Sequence, residues 1–169
     1  MASMSSNSNG YVIPATTRIG HVHLKVSDLD RSLAFYRDLL GFTVTQRIGS
    51  AAAFLSAGGY HHHIGLNTWQ SRGGTPAPPG ATGLYHTAIL YAQRVDLAIA
   101  LRRIVEAGYP LTGAADHGVS EAIYLDDPDG NGVELYWDKP VAEWPYNGNG
   151  QLQMVSEPLD LQQLLLLAQ

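Results

Sequence analysis

Hydrophobic and polar positions alternate in two separate stretches of the chain, and both stretches have the same order of predicted elements. The first stretch opens with Ile19–Val26, an alternating β-branched run that predicts a strand. Apolar residues at helical spacing then predict a helix over 30–40, which ends at Gly41. Three further strands are predicted over 42–47, 51–55 and 61–69. This first stretch is therefore β-α-β-β-β.

The second stretch repeats this order after a segment rich in Gly and Pro. Leu84 to Leu90 predicts a strand, and an apolar stripe predicts a helix over 96–107. Further strands are predicted near Leu111 and over 121–125 and 132–137. A short helix over 159–167 is predicted in the C-terminal tail.

Matching residues in the two stretches indicate an internal repeat. The pairs are His21 with His86, Leu40-Gly41-Phe42 with Ala107-Gly108-Tyr109, Phe54-Leu55 with Tyr124-Leu125, and Ile64-Gly65-Leu66 with Val133-Glu134-Leu135. We therefore predict an α+β fold in which two tandem βαβββ repeats form a curved mixed sheet around a metal-binding cleft, with the helices outside.

The repeats also predict the domain organisation of the 169-residue chain. Residues 1–17 are expected to be a disordered lead-in, and residues 18–138 a single domain. Its repeats span 18–69 and 83–138, and the linker between them spans 70–82. Residues 139–169 are expected to form a C-terminal loop and a short helix.

Composition excludes several classes of function. The chain has no Cys, which excludes disulfides, thiolate metal sites and Cys nucleophiles. Ten Lys and Arg against 15 Asp and Glu, with no basic run, argue against a nucleic-acid partner. No apolar run approaches the roughly 20 residues that span a membrane. Since the first ten residues are polar and lack an apolar signal core, we predict a cytoplasmic protein.

Two histidines at equivalent repeat positions, His21 and His86, predict a metal site. Equivalent strands of a pseudo-twofold pair face the same cleft, and Glu134 on the last strand can reach the same point. Two imidazoles and one carboxylate form a facial triad that suits Fe(II) or Mn(II) and leaves positions open for substrate. Gly65, the fourth symmetric position, offers no ligand. His23 shares a face with His21 and stays an alternative first ligand.

The alternative is that these histidines have only a structural role, as most lone histidines on strands do. The joint occurrence of two equivalent histidines and a Glu on the last strand argues against it.

Three segments resemble the vicinal oxygen chelate superfamily, which includes glyoxalase I, fosfomycin-resistance proteins, bleomycin-binding proteins and extradiol dioxygenases. The resemblance covers about residues 18–138. The segments are Gly20-His21-Val22-His23-Leu24-Lys25-Val26, the helix with Phe35-Tyr36 and Leu40-Gly41-Phe42, and Asp127-Pro128-Asp129-Gly130-Asn131-Gly132-Val133-Glu134-Leu135.

Two further segments are similar to the extradiol dioxygenase branch: His61-His62-His63-Ile64-Gly65-Leu66, and His117-Gly118-Val119-Ser120 followed by Tyr124, Pro128, Gly130 and Glu134. This resemblance implies metal ligation by His21, His86 and Glu134, an acid/base role for His61, and contact of His117 and Tyr124 with a catecholate oxygen. A His can take and return a phenolic proton, and a Tyr hydroxyl can stabilise an oxyanion. His62, one position away from His61, stays an alternative acid/base.

The resemblance implies a metal-dependent extradiol-type dioxygenase that cleaves a catechol-like ring with O₂, with Fe(II) or, second, Mn(II) as cofactor. Its partners would be an aromatic diol, O₂ and a second copy of the chain in a homodimer. The site can form within one chain or by exchange of repeats between chains. Many extradiol dioxygenases have two paired-repeat domains, whereas this chain has one.

Other functions of the same superfamily stay open. They are a glyoxalase I-like lyase or isomerase, a fosfomycin-type thiol transferase, a metal-free bleomycin-type binding protein, and a degenerate structural domain. Gly65 stands where glyoxalase I has a ligand, which argues against the isomerase.

Overall fold

The computed structural model describes residues 10–169, and both halves of the chain follow the predicted β-α-β-β-β order. The first repeat consists of β1 (Val22–Lys25), α1 (Leu29–Leu33) continued by a π-helix (Ala34–Leu39), β2 (Thr43–Ile48), β3 (Ala52–Ser56) and β4 (Ile64–Asn67). The second consists of β5 (Thr87–Tyr91), α2 (Arg94–Glu106), β6 (Gly113–Asp116), β7 (Ser120–Asp126) and β8 (Gly132–Asp138). A 3₁₀ turn (Val141–Glu143), β9 (Glu157–Pro158) and α3 (Leu161–Leu166) follow.

Hydrogen bonds divide the strands into two mixed sheets, in the orders β1-β4-β3-β2 and β5-β8-β7-β6-β9. In each sheet the first strand of the repeat pairs in parallel with the last, and the other pairs are antiparallel. The predicted α+β class and the mixture of parallel and antiparallel pairs are confirmed, but the strands form two sheets where the sequence predicts one. The two sheets are not joined to each other by hydrogen bonds, however, so β1 and β5 are each the edge strand of their own sheet.

The strand registers of the two repeats are the same, which fixes the equivalence of individual residues. The registers are Val22↔Ile64, Thr87↔Val133, Phe54↔Gly65 and Tyr124↔Glu134. His21 and His86 therefore occupy equivalent positions, each one residue before its first strand. Gly65 is equivalent to Glu134, and Phe54 is equivalent to Tyr124.

One hydrophobic core joins the two repeats. The helix α1 begins where the Asp28 side chain accepts a hydrogen bond from the Arg31 amide, a typical N-cap. The apolar face of α2 is fully buried in the same core through Leu97, Ala98, Leu101 and Ile104. Each fully buried leucine or isoleucine contributes about 1.5–3 kcal/mol, so burial of this face is what holds α2 on the sheet.

The loop between β7 and β8 is bound to the first repeat through two buried carboxylates. Tyr36, in the π-helix, donates a hydrogen bond to Asp127 Oδ2 at 2.9 Å. Asp129 accepts hydrogen bonds from the amide and the hydroxyl of Ser27, and it pairs with Arg31. Burial and the Asp127 carboxylate raise the pKa of Tyr36 far above its ordinary value, so its hydroxyl remains a donor. The repeats are thus joined by polar contacts as well as by the core.

The C-terminal segment folds back onto the second repeat. Strand β9 extends the second sheet by pairing with β6. The helix α3 lies where a short helix is predicted, is capped by Asp160, and buries Leu164 against the core that includes α2. Within residues 10–169 there is no helix long and apolar enough to cross a membrane.

Three predicted strands begin three residues later than the sequence indicates. β1 starts at Val22, since Ile19 is exposed and has no strand partner. β4 starts at Ile64 because the chain needs residues 57–62 to reverse direction after the antiparallel β3. Strand β5 starts at Thr87, since Leu84 and Tyr85 are exposed and have no strand partner. Of the predicted lead-in, residues 1–9 lie outside the described part of the chain, and 10–17 form no helix or strand.

Candidate metal centre

His86 and Glu134 form the centre of the candidate site. His86 directly precedes β5, and Glu134 lies on β8, the parallel neighbour of β5 in the second sheet. His86 Nε2 is 2.9 Å from Glu134 Oε2. The Glu134 side chain is largely buried, and that of His86 is about one third exposed. Two ligand atoms about 2.1 Å from one ion and at right angles to each other lie about 3 Å apart. The pair therefore has the separation of two adjacent ligands of a divalent metal.

Two buried polar atoms beside this pair lack a hydrogen-bond partner among residues 10–169. They are His86 Nδ1 and Thr87 Oγ1. A buried donor or acceptor without a partner costs about 1–3 kcal/mol. A metal-ligating histidine normally uses its second ring nitrogen for an outer hydrogen bond. Residues 10–169 thus supply no outer hydrogen bond to His86 Nδ1.

The other oxygen of Glu134 belongs to a short chain of hydrogen-bonding groups. Tyr124, the neighbour of Glu134 across the β7–β8 pair, places its hydroxyl 3.1 Å from Glu134 Oε1. His117 Nε2 lies 2.7 Å from the same hydroxyl. Partial burial and the nearby Glu134 carboxylate raise the pKa of Tyr124 to about 12. The hydroxyl is therefore neutral near pH 7 and able to donate a hydrogen bond.

His86, His117 and Tyr124 line a cavity of about 790 Å³, which is large enough for a small organic ligand. The linker forms part of its wall, because it passes close to the β7–β8 loop. A Cβ at Gly132 would collide with the backbone carbonyl of Tyr85, so only glycine permits the close approach of the segment just before β5.

The remaining five histidines lie in the first repeat. The rings of His21 and His62 are 4.4 Å apart, and His61 Nδ1 is 2.7 Å from His62 Nδ1. Burial and the neighbouring histidines, His21 first among them, lower the pKa of His62. His63 faces away toward Ser56. Three of the predicted site histidines are therefore together at one end of the first sheet.

His23 has a different setting from His21. Its ring lies across Gly65, where an added Cβ would be 2.9 Å from two ring carbons. Its Nε2 is 3.0 Å from the Asn67 side-chain amide, and the Trp69 ring lies 5.7 Å away. The His23 ring thus lies over the residue equivalent to Glu134, and one of its nitrogens is already hydrogen-bonded.

The predicted triad is not assembled within one chain. Residues 10–169 contain no group of three or more His, Cys, Asp or Glu side chains able to hold a metal. His86, Glu134, Tyr124 and His117 are together in the second repeat, whereas His21, His61 and His62 are together in the first. Ligation by His21 therefore stays a prediction.

Two contributors to the site are missed by sequence reasoning. The Thr87 hydroxyl has no hydrogen-bond partner within the described residues, and the Val155 carbonyl lies 2.8 Å from His117 Nδ1. No sequence signal marks Val155, because the contact uses its backbone across 38 residues.

Comparison with known proteins defines the class of protein that this fold and site represent. Residues 18–135 match the family described as the Glyoxalase/Bleomycin resistance protein/Dioxygenase superfamily. The chain belongs to this superfamily, which confirms the resemblance.

The curated relatives to which the chain is similar include dioxygenases. The chain is 41% identical to a catechol-2,3-dioxygenase of Bacillus subtilis over 149 residues, 88% of this chain and 51% of that protein. It is 32% identical to biphenyl-2,3-diol 1,2-dioxygenase 3 of Rhodococcus globerulus, over 73% of this chain and 64% of that protein. The chain thus spans about half of the first relative and less than two thirds of the second.

The fold is also that of solved members of the superfamily. A glyoxalase/dioxygenase from Nostoc punctiforme aligns over 79% of this chain and 100% of its own, with a TM-score of 0.64 and 19% identity.

Proposed function

We propose that this protein is a metal-dependent extradiol-type dioxygenase, which cleaves a catechol-like ring with O₂. The observation that carries the proposal is the 2.9 Å pair of His86 and Glu134 at a cavity that Tyr124 and His117 also line. The dioxygenase names of two relatives support the same reaction class. The cavity volume suits an aromatic diol of one or two rings.

The ligands in this proposal are His86, Glu134 and His21. Two imidazoles and one carboxylate suit Fe(II) first and Mn(II) second. When bound, such an ion supplies a Lewis-acidic, redox-active centre with open positions for a bidentate diol and for O₂.

The surrounding residues orient the substrate and handle its protons. The neutral Tyr124 hydroxyl donates a hydrogen bond to an oxygen of the diol, where negative charge develops. His117 holds that hydroxyl in place from 2.7 Å. His61, or His62 beside it, accepts a phenolic proton and returns it to the product.

We propose further that His21 reaches the site from a second copy of the chain. His21 and His86 are equivalent by register, and each lies at the start of an open edge strand, β1 or β5. Ile19 and Tyr85, next to these histidines, are 98% and 90% exposed. A twofold pair of chains sets the first repeat of each copy against the second repeat of the other, which makes two equivalent sites. Pairing also covers these exposed apolar side chains.

Metal analysis combined with oxygen uptake tests this function. The wild-type protein is purified without an affinity metal, reconstituted anaerobically with Fe(II), and compared with Glu134→Ala and Glu106→Ala. Glu106 is a matched control, because it is an exposed carboxylate on α2. We expect about one Fe per chain and O₂ uptake with catechol in the wild type and the control, and neither in Glu134→Ala.

Two results would contradict the proposal. Equal metal content in Glu134→Ala and in the wild type would remove Glu134 from the ligand set. Absence of metal from the reconstituted wild type would exclude a metal-dependent dioxygenase, and a binding protein of the same superfamily would then be favoured.

A further inference from the structure

We propose that the C-terminal strap, defined as residues 139–158, keeps a proton on His117 Nδ1 and thereby directs the Nε2 lone pair at Tyr124. The strap lies outside the matched family region, which ends at residue 135. In this role Val155 is a positioning residue that acts through His117. The functional meaning of the inference rests on the proposed dioxygenase activity, but its chemical core can be tested without it.

His117 and Val155 contact each other through both side chain and backbone. His117 Nδ1 lies 2.8 Å from the Val155 carbonyl oxygen. A backbone carbonyl can only accept a hydrogen bond, so the ring nitrogen facing it must carry the proton. The Val155 amide donates in turn to the His117 carbonyl at 3.0 Å. These two bonds fix both the backbone and the ring of His117 against the strap.

The strap is itself held firmly beside His117. Lys139 Nζ, at its start, lies 2.7 Å from both carboxylate oxygens of Asp116. At its other end, β9 pairs with β6, so Glu157 is opposite Asp116. Gly118 has φ +75°, and a Cβ there would lie only 3.0 Å from Pro145. The strap and the 116–118 turn are therefore in close contact, and the carbonyl of Val155 has little freedom to move.

The consequence concerns the single proton of the Tyr124 hydroxyl. Two acceptors compete for it, His117 Nε2 at 2.7 Å and Glu134 Oε1 at 3.1 Å. In a neutral ring with its proton on Nδ1, Nε2 is a pure acceptor and takes the shorter bond. In the substrate-free protein Glu134 Oε1 is then released from the hydroxyl, and in the proposed reaction a bound diol replaces His117 Nε2 as the acceptor of this proton. The opposite tautomer would turn Nε2 into a donor and direct the Tyr124 proton to Glu134.

Nitrogen NMR of the full-length, metal-free protein tests the inference directly. Long-range ¹H–¹⁵N spectra of ¹⁵N-labelled protein distinguish protonated from unprotonated ring nitrogens, at about pH 8 where neutral histidine dominates. The His117 signals are assigned by their loss in His117→Gln. We expect Nδ1 to carry the proton in about nine tenths of molecules or more, because a hydrogen bond of about 1–1.5 kcal/mol favours one tautomer roughly tenfold.

Two variants of Val155 form a matched pair. Val155→Ala keeps the amide and the carbonyl and should preserve the wild-type His117 spectrum. Val155→Pro removes the amide that bonds to the His117 carbonyl, which loosens the strap. In Val155→Pro we expect the Nδ1–H form to fall below about half, toward the Nε2–H form that unconstrained histidine prefers. Circular dichroism checks that the variant is folded.

The outcomes separate this inference from the proposed function. A proton found on Nε2 in the wild type, or a folded Val155→Pro with the wild-type spectrum, would overturn the inference. If Val155→Pro does not fold, the wild-type and Val155→Ala spectra still decide. Since no metal or substrate is present, the tautomer can be confirmed even if oxygen uptake fails. Conversely, oxygen uptake with an Nε2–H ring would overturn only the role of the strap.

Discussion

The two repeats share a backbone and a strand register but differ at the residues that matter for chemistry. Both have a histidine before the first strand, His21 or His86. The second repeat then has Glu134 on its last strand, whereas the first repeat has Gly65 with the His23 ring lying across it. Tyr124 in the second repeat is replaced in the first by Phe54, which has no hydroxyl.

This difference means that neither repeat alone contains all the residues of the proposed site. The second repeat supplies the carboxylate, one imidazole and a polar chain of Tyr124 and His117. The first supplies several imidazoles but no carboxylate in its histidine cluster. Complementary halves of this kind favour a site that combines one repeat of each type. Replacing residues of either repeat tests the comparison.

The largest effect is expected from either of the two equivalent histidines. His21→Ala and His86→Ala should each lower metal content to near zero and activity by about a thousandfold or more, because each removes one of three ligands. His23→Ala should keep the metal, since His23 contacts Asn67 and Trp69. Elemental analysis of the three variants measures this. Loss of metal in His23→Ala with full metal in His21→Ala would reverse the assignment of the first ligand.

Asp127→Ala gives the β7–β8 loop the residue type that the β3–β4 loop has at the equivalent position, Ala57. The buried Asp127 carboxylate accepts hydrogen bonds from the Tyr36 hydroxyl, the amides of Asp129 and Asn131, and the Asn131 side chain. Its loss leaves several donors unpaired and should lower the free energy of unfolding by about 2–4 kcal/mol.

Urea unfolding measures the effect of Asp127→Ala, with Asp126→Ala as the control. The Asp126 side chain is exposed, so that change should cost less than about 0.5 kcal/mol. Equal losses in the two variants would show that the Tyr36–Asp127 contact does not join the repeats.

Tyr124→Phe gives the second repeat the residue type of the first at this position. Metal content should be unchanged, and kcat should fall about a hundredfold, because a donor to the developing oxyanion is lost. Tyr91→Phe is the control, since Tyr91 lies in β5 and packs against the core. Steady-state kinetics with catechol provides the measurement. A change in KM alone would mean that Tyr124 contributes to binding but not to the chemical step.

The smallest effect is expected at the pair of Asp116 and Lys139. Partial burial raises the pKa of Asp116, but hydrogen bonds from Lys139 and the Gly118 amide outweigh it and hold the pKa below its ordinary value. The folded state therefore gains stability above the ordinary carboxyl pKa and loses it as pH falls through the lowered value.

Lys139→Met should remove less than about 1 kcal/mol at pH 7, since the pair is partly exposed and screened by solvent. The difference from the wild type should disappear at about pH 2, where the carboxyl is protonated. Urea unfolding at the two pH values checks this. A difference that is the same at both would assign the effect to packing of the Lys139 stem.

The sequence was sufficient for the features that repeat and insufficient for those that depend on distant backbone. Hydrophobic periodicity and paired residues predict the βαβββ order and the equivalence of His21 with His86. The same patterns extend β4 and β5 into His61–His63 and Leu84–Tyr85, because β propensity does not show where a strand finds its partner. Strand β6 has weak β propensity and β9 only two residues, so both depend on tertiary pairing.

Part of the candidate site can likewise be predicted from the sequence, and part cannot. The His86–Glu134 pair follows from repeat symmetry, since it needs only neighbouring strands in the expected register. The Val155 carbonyl at His117 does not follow, because it belongs to a backbone segment without a pattern. The close approach of the Tyr85 carbonyl to Gly132 does not follow either, because the sequence pattern places Tyr85 in a strand. The separation of His21 from His86 within one chain depends on how the two sheets pack, which periodicity does not determine.

The central claim is that each site takes His21 from one chain and His86 with Glu134 from another. Heterodimers of His21→Ala and Glu134→Ala, co-expressed with different tags and reconstituted with Fe(II), test it most directly. The account predicts that both homodimers are inactive and that the heterodimer has about half of the wild-type activity and metal, because one of its two sites keeps all three ligands. An inactive heterodimer without metal would contradict the claim and assign the three ligands to a single chain.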